Sequence, residues 1–176
     1  MFLRPQKRRL LHEINDLPFG QLLEIGIGNG RHLPLYQTHK VTGIDSSPVM
    51  VELAKKNKNQ NMELFNMNGE NLSFKDNSYD YVVLSHVIAV VDDPEKILKE
   101  IDRVLKPGGK LFILNHFTPE NWLRHIDQSF QSFSKFLHFK SVFYLSSLGS
   151  LERFKLLNEI NFGRFSYFKL LIYGKA

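Results

Sequence analysis

The run Leu23-Glu24-Ile25-Gly26-Ile27-Gly28-Asn29-Gly30-Arg31, a strand-like stretch that breaks into three alternate glycines, constrains this chain more than any other feature. Glycines so placed mark a turn whose backbone can be approached closely by another group. A second strand-like run, Val41-Thr42-Gly43-Ile44-Asp45, closes on an acid 21 positions beyond Glu24. In a doubly wound sheet, glycines at the first turn let a ligand reach the backbone, and an acid ending the second strand accepts hydrogen bonds from a ribose diol. The two runs together imply a nucleoside ligand at the carboxyl ends of parallel strands.

The rest of the chain is patterned to match. Strand-like runs at Gln21–Ile25, Lys40–Ile44, Met62–Asn66, Tyr79–Ser85 and Lys110–Asn115 alternate with helical segments beginning near Gly30 and spanning Pro48–Lys56 and Pro94–Leu105. Such alternation predicts an α/β, Rossmann-like, doubly wound and mostly parallel sheet covered on both faces. Pro48 and Pro94 stand where a first helical turn tolerates proline, and Pro107-Gly108-Gly109 ends a helix before the next strand. A length of 176 residues suits one domain. Within it, residues 1–20 form an N-terminal amphipathic helix or lid, 21–116 a cofactor-binding core, 117–150 an aromatic-rich insertion after the fifth strand, and 151–176 a closing helix (Leu151–Leu157) and strand (Phe165–Tyr173).

Composition narrows the chemistry. With no cysteine, disulfides, thiolate metal sites and cysteine nucleophiles are excluded. No cluster of His, Asp and Glu has metal-ligand spacing, so the expected reaction is metal-free. A net charge of +5 points to an anionic partner. No apolar run approaches the ~18 residues of a membrane span, and the basic N-terminus does not read as a signal peptide, so the expected address is cytoplasmic.

Charge also selects the nucleoside. The dinucleotide fingerprint G-x-G-x-x-G/A, counted from Gly26, meets Arg31 at its last position, and Glu24 would repel a pyrophosphate. A carboxylate there instead attracts a cofactor carrying a sulfonium and an ammonium group, which favours S-adenosylmethionine.

Taken together, E-x-G-x-G-x-G from Glu24, the acid Asp45, Asn68-Gly69-Glu70 after the third strand and Leu105-Lys106-Pro107-Gly108-Gly109 before the fifth resemble the class I S-adenosylmethionine-dependent methyltransferases over about Gln21 to Asn115. The resemblance implies a cofactor site of Glu24, Gly26, Gly28, Gly30, Asp45, Ser46, Met50, Asn68, Gly69, Glu70 and Ser85. Gly26 and Gly28 would line the methionine moiety, Asp45 hold the ribose, Ser46 and Met50 flank the adenosine, and Asn68 and Gly69 meet the adenine edge. Many relatives carry Asp where Asn68 stands, so that contact lacks a charge here.

Three further segments, Arg31-His32-Leu33-Pro34-Leu35-Tyr36, Ser85-His86-Val87-Ile88-Ala89-Val90-Val91-Asp92-Asp93-Pro94 and Leu114-Asn115-His116-Phe117, resemble the soluble bacterial phosphatidylethanolamine N-methyltransferases. The expected acceptor is then a phospholipid amine at an anionic membrane surface, the protein lying peripherally on the inner membrane face. Leu3, Leu10, Leu11 and Ile14 make a stripe flanked by Arg4, Lys7, Arg8 and Arg9 that suits such a surface. His86 and His116, at strand ends facing the ligand crevice, are candidates to orient the amine or take its proton. Tyr36 is a third, through its hydroxyl or a cation–π contact, and Arg124 is the candidate for the lipid phosphate. The alternatives are C- or O-methylation of a lipophilic ring such as a quinone precursor, and a non-catalytic membrane-associated module. Nucleic acid is not the expected partner, since no Asn-Pro-Pro-Tyr-type motif is present for adenine chemistry and no cysteine for pyrimidine carbon chemistry.

Overall fold

A computed structural model describes residues 4–116, 148–163 and 168–176. Among these, strands β1 (Gln21–Ile25), β2 (Lys40–Asp45), β3 (Met62–Asn66), β4 (Tyr79–Ser85), β5 (Leu105–His116), β6 (Phe154–Asn161) and β7 (Phe168–Lys175) form one sheet in the order β3-β2-β1-β4-β5-β7-β6. Strands β1 to β5 pair in parallel, while β7 is antiparallel to both β5 and β6. The order reverses between β1 and β4, which opens a crevice at their carboxyl ends.

The period of two along each strand sorts the side chains between two cores. Leu23, Ile25, Val82, Leu84, Leu111 and Ile113 pack with Ile97, Leu98, Ile101 and Val104 of helix α3 (Pro94–Val104). On the opposite face, Leu22, Val83, Phe112, Leu114 and Leu170 pack with Leu10, Leu11 and Ile14 of helix α1 (Pro5–Asn15). Helix α2 (Pro48–Lys55) starts at Ser47, whose hydroxyl accepts from Met50 N, and α3 starts at Asp93, whose carboxylate accepts from Lys96 N. Each such cap satisfies an N–H that the helix itself leaves unpaired, and contributes about 1 kcal/mol.

The fold departs from the pattern of the sequence at three places. The helix expected from Gly30 is a single 3-10 turn, Leu33–Leu35. Helix α1 already covers that face of the sheet, and its Asn15 side chain grips the segment beyond the turn, donating to Leu35 O at 2.9 Å and accepting from Gln37 N at 3.1 Å. The chain is thereby held extended toward β2. The helical pattern at Leu151–Leu157 is likewise replaced, by a 3-10 turn at Gly149–Arg153 that runs into the edge strand β6. Seven residues carry too few periods to separate helix from strand, and pairing with β7 decides the matter. Finally, β5 begins at Leu105 directly after α3, so the expected turn at Pro107-Gly108-Gly109 lies within the strand, at the irregularity between the Tyr79–Leu105 and Tyr81–Lys110 pairs. Phe165, and residues 117–147 with Arg124, lie outside the described residues.

The glycine turn is locked to α2 by contact. Gly30 has φ +68°, and a Cβ added to it would stand 2.6 Å from Ala54 Cβ and 2.8 Å from Ala54 Cα. Gly30→Ala therefore strains the backbone and pushes α2 off the turn, with an expected loss of roughly 2–4 kcal/mol in urea unfolding. An unchanged midpoint would mean that the turn and α2 are not in this contact.

Candidate active site

The crevice between β1 and β4 is floored by the glycine turn. Gly26 N and Ile27 N both donate to Ile44 O, at 2.8 and 3.1 Å, so the turn hangs from the end of β2. Gly28 (φ +55°) then passes under open space, since an added Cβ would meet no atom within 4 Å. A bare backbone facing an opening is the arrangement that admits a ligand against it.

Asp45 closes β2 beside this opening. Its Oδ2 accepts from Gly28 N at 2.8 Å and its Oδ1 from Ser47 N at 2.9 Å. These two bonds orient the carboxylate and use about half of its four acceptor positions, leaving capacity for the two hydroxyls of a ribose. Asn66, which the sequence did not single out, braces the same corner by donating from Nδ2 to Asp45 O (2.9 Å) and Ser46 O (3.0 Å). Ser46 is exposed next to Asp45, and Met50 exposes 38% of its surface on the first turn of α2. Across the opening Asn68 is exposed and its Oδ1 accepts from Glu70 N, while Gly69 is buried under Ile25 and Ile97. Glu70 Oε1 accepts from Asp93 N at 3.0 Å and ties the β3 loop to the start of α3.

Glu24 differs most from its expected role. Strand alternation puts it on the same face as Leu22, beneath α1, where it is fully buried. Lys7 Nζ donates to Oε1 at 2.9 Å, His32 Nε2 to both oxygens at 2.9 and 2.8 Å, and the Tyr36 hydroxyl to Oε2 at 2.9 Å. Burial by itself would raise its pKa, but the Lys7 cation and His32 outweigh it and hold the carboxyl well below the usual carboxylate range. The acid is thus paired within the protein and does not stand as an open anion for a sulfonium or ammonium, which corrects the electrostatic reading of the motif.

Tyr36, expected at the acceptor, is buried beside Glu24, and both the burial and that anion raise its pKa well above the ordinary phenol value. It is therefore part of the floor. Nothing in the sequence marks Lys7 and His32 as partners of Glu24. Lys7 looked like one more member of a basic helix edge, and only its pairing with Glu24 distinguishes it.

His86 and His116 are brought together. Both rings meet Phe168 edge-on, with centroids at 5.7 and 5.3 Å, at the ends of β4 and β5. His86 has φ +63° and its N–H bonds Leu114 O at 2.8 Å, so the turn after β4 is drawn over β5. Partial burial first, then the cations of Lys7 and Arg4 and the nearby His116, lower the His86 pKa. The imidazole is kept neutral to lower pH than usual, the form that can accept a proton. Ser85, just before it, is buried at the end of β4.

A glycine turn open to a ligand, a braced acid at the end of β2 and a switch-point crevice define a Rossmann-like nucleoside-binding enzyme. The family model described as a methyltransferase domain matches residues 23–113. The chain belongs to the class I S-adenosylmethionine-dependent methyltransferases. It is 32% identical over 164 residues to the phosphatidylethanolamine N-methyltransferase of Cereibacter sphaeroides, covering 88% of this chain and 79% of that one. It is 36% identical over 125 residues to the thiol S-methyltransferase TMT1B of Mus musculus, covering 65% of this chain and 51% of that one. A SAM-dependent methyltransferase from Methanosarcina mazei shares the fold at a TM-score of 0.74 and 23% identity, over 99% of each chain.

The site fits the cofactor of that family. Asp45 would take the ribose hydroxyls, the Gly26–Gly28 backbone would lie along the methionine end, and Met50 and Asn68 would border the adenine. When bound, S-adenosylmethionine supplies a methyl group activated on a sulfonium.

Proposed function

We propose that this methyltransferase N-methylates phosphatidylethanolamine, toward phosphatidylcholine, at an anionic membrane surface. The observation that carries the reading is the contact of His86 and His116 with Phe168 at the ends of β4 and β5, within reach of the Lys7 and Arg4 charges of the N-terminal end of α1. Similarity to a phosphatidylethanolamine N-methyltransferase over most of both chains supports the choice of acceptor. An alkylammonium must lose a proton before its nitrogen can attack, its pKa in water being about 10, like that of lysine. The neutral imidazole of His86 can accept a hydrogen bond from that amine, and the Lys7 and Arg4 charges disfavour its protonated form. Alignment of acceptor and methyl group in a closed crevice supplies most of the acceleration, because no covalent intermediate with the protein is needed.

Membrane contact takes a different form from a helix lying on its apolar face. Leu10, Leu11 and Ile14 are buried against the sheet, so that stripe is not available to lipid. What α1 offers is an exposed basic edge of Arg4, Arg8 and Arg9, the last paired with Glu13. Such an edge attracts anionic lipid at about 1 kcal/mol per residue near the surface. Among the described residues no helix is long and apolar enough to cross a membrane.

One observation favours a second reading. The Lys7 and Arg4 charges near His86 would stabilise an acceptor that reacts as an anion, such as the phenolate of a quinone precursor. Purified protein with methyl-labelled cofactor and liposomes, with and without phosphatidylethanolamine and anionic lipid, separates the two. Label in methylated phosphatidylethanolamines that rises with anionic lipid is the expected result. Cofactor binding with no labelled phospholipid would overturn the lipid assignment, and label in an added quinone precursor would replace it.

A further inference from the structure

Three side chains converge on one acid just before the glycine turn. Glu24, next to last in β1, is a buried carboxylate whose two oxygens already accept from Lys7, His32 and Tyr36. Its charge is matched by Lys7, so the pair is neutral and the acid has little capacity left for a further cation. Lys7 reaches it from α1, with 13% of its side chain still accessible. An ammonium carries three N–H donors, and the Glu24 bond uses one of them. What this end of β1 offers to a ligand is therefore the two remaining N–H donors of Lys7, whose charge also acts on His86.

S-adenosylmethionine ends in an amino acid, with a carboxylate beside the ammonium. We propose that Lys7 receives the methionine carboxylate of the cofactor while staying paired with Glu24, so that the site distinguishes a nucleoside with an intact amino-acid end from one without it. The inference rests on the cofactor assignment and deepens it by naming a residue outside the glycine motif. Such an arrangement makes α1 part of the cofactor site. It also gives the buried Glu24 a purpose: it holds the Lys7 ammonium in place so that little side-chain entropy is lost when the carboxylate arrives.

The experiment is calorimetric titration with S-adenosylhomocysteine and with 5′-methylthioadenosine, which keeps the adenosine and thioether but lacks the amino acid. Lys7→Gln is expected to weaken S-adenosylhomocysteine by roughly 10–100-fold, the loss of one charge-assisted bond, and to leave 5′-methylthioadenosine within about twofold. Lys7→Arg should restore most of the difference. Equal weakening of both nucleosides, or of neither, would overturn the proposal and leave Lys7 as a support for α1. If Lys7→Gln does not fold because Glu24 is stranded, the same ratio is read between Glu24→Gln and the double variant Lys7→Gln/Glu24→Gln. Failure of the wild-type protein to bind either nucleoside would overturn the cofactor assignment as well, an outcome distinct from the others.

Discussion

Asp45→Ala is expected to lower the affinity for S-adenosylhomocysteine by about 100-fold or more while the protein still folds. Two effects add. The ribose loses an ionised acceptor, and hydrogen bonds to a charged group contribute about 1.5–3 kcal/mol each. The glycine turn also loses its brace, since Asp45 accepts from Gly28 N at 2.8 Å and from Ser47 N at 2.9 Å. Both N–H groups lie near the surface and can turn to water, so the cost falls on binding more than on stability. Asp45→Asn separates the two, because its amide oxygen can keep one backbone bond and lacks the charge. An intermediate loss of roughly tenfold is expected. Titration with S-adenosylhomocysteine checks both, and an affinity unchanged in Asp45→Ala would move the ribose away from β2.

Glu24→Ala should act in the opposite way, on stability first. Removing the acid leaves the Lys7 ammonium largely buried and deprives His32 and the Tyr36 hydroxyl of their shared acceptor. Breaking a buried pair from one side costs roughly 3–5 kcal/mol. For a chain of this size that corresponds to a fall in Tm of about 6–20 °C. Thermal unfolding followed by circular dichroism is the measurement, and a fall under a few degrees would mean that the pairing contributes little.

The same carboxylate sets an acid limit. Its folded pKa lies below its unfolded one, because Lys7 and His32 outweigh the effect of burial. The stability it contributes is present above the unfolded value of about 4.3 and is lost as pH falls below it. Wild-type stability should therefore fall with acid more steeply below about pH 4 than that of Glu24→Gln, which has no proton to take up there. Parallel acid limbs for the two would remove Glu24 from the list of groups that govern acid unfolding.

Much of this molecule was legible in the chain itself. Five parallel strands were visible because each is a short apolar run bounded by glycine, proline or a cap, and those signals are local. β4 at Tyr79–Ser85 and β3 at Met62–Asn66 run as the pattern implied, and α2 and α3 begin at Pro48 and Pro94. The turn from Gly26 to Gly30 and the acid Asp45 were legible for the same reason. A positive φ or a carboxylate at a strand end is a property of one residue and its neighbours, and family motifs record it directly.

What depended on contacts between distant parts of the chain was not legible. The segment after Gly30 stays short because α1, more than fifteen residues earlier, occupies its place and Asn15 holds its backbone. Residues 154–161 become a strand because β7 offers an edge, which a seven-residue pattern cannot announce. Glu24 shows the division most plainly. Its residue type and its place at the end of β1 are written in the sequence, and alternation decides that it shares a face with Leu22. That this face is roofed by α1, and that Lys7 of all the basic residues on α1 descends onto it, is decided by tertiary packing alone. The physical reason is that a buried charge is set by what surrounds it in space. Sequence spacing orders the neighbours along one strand or helix, but the partner across the core comes from a different part of the chain.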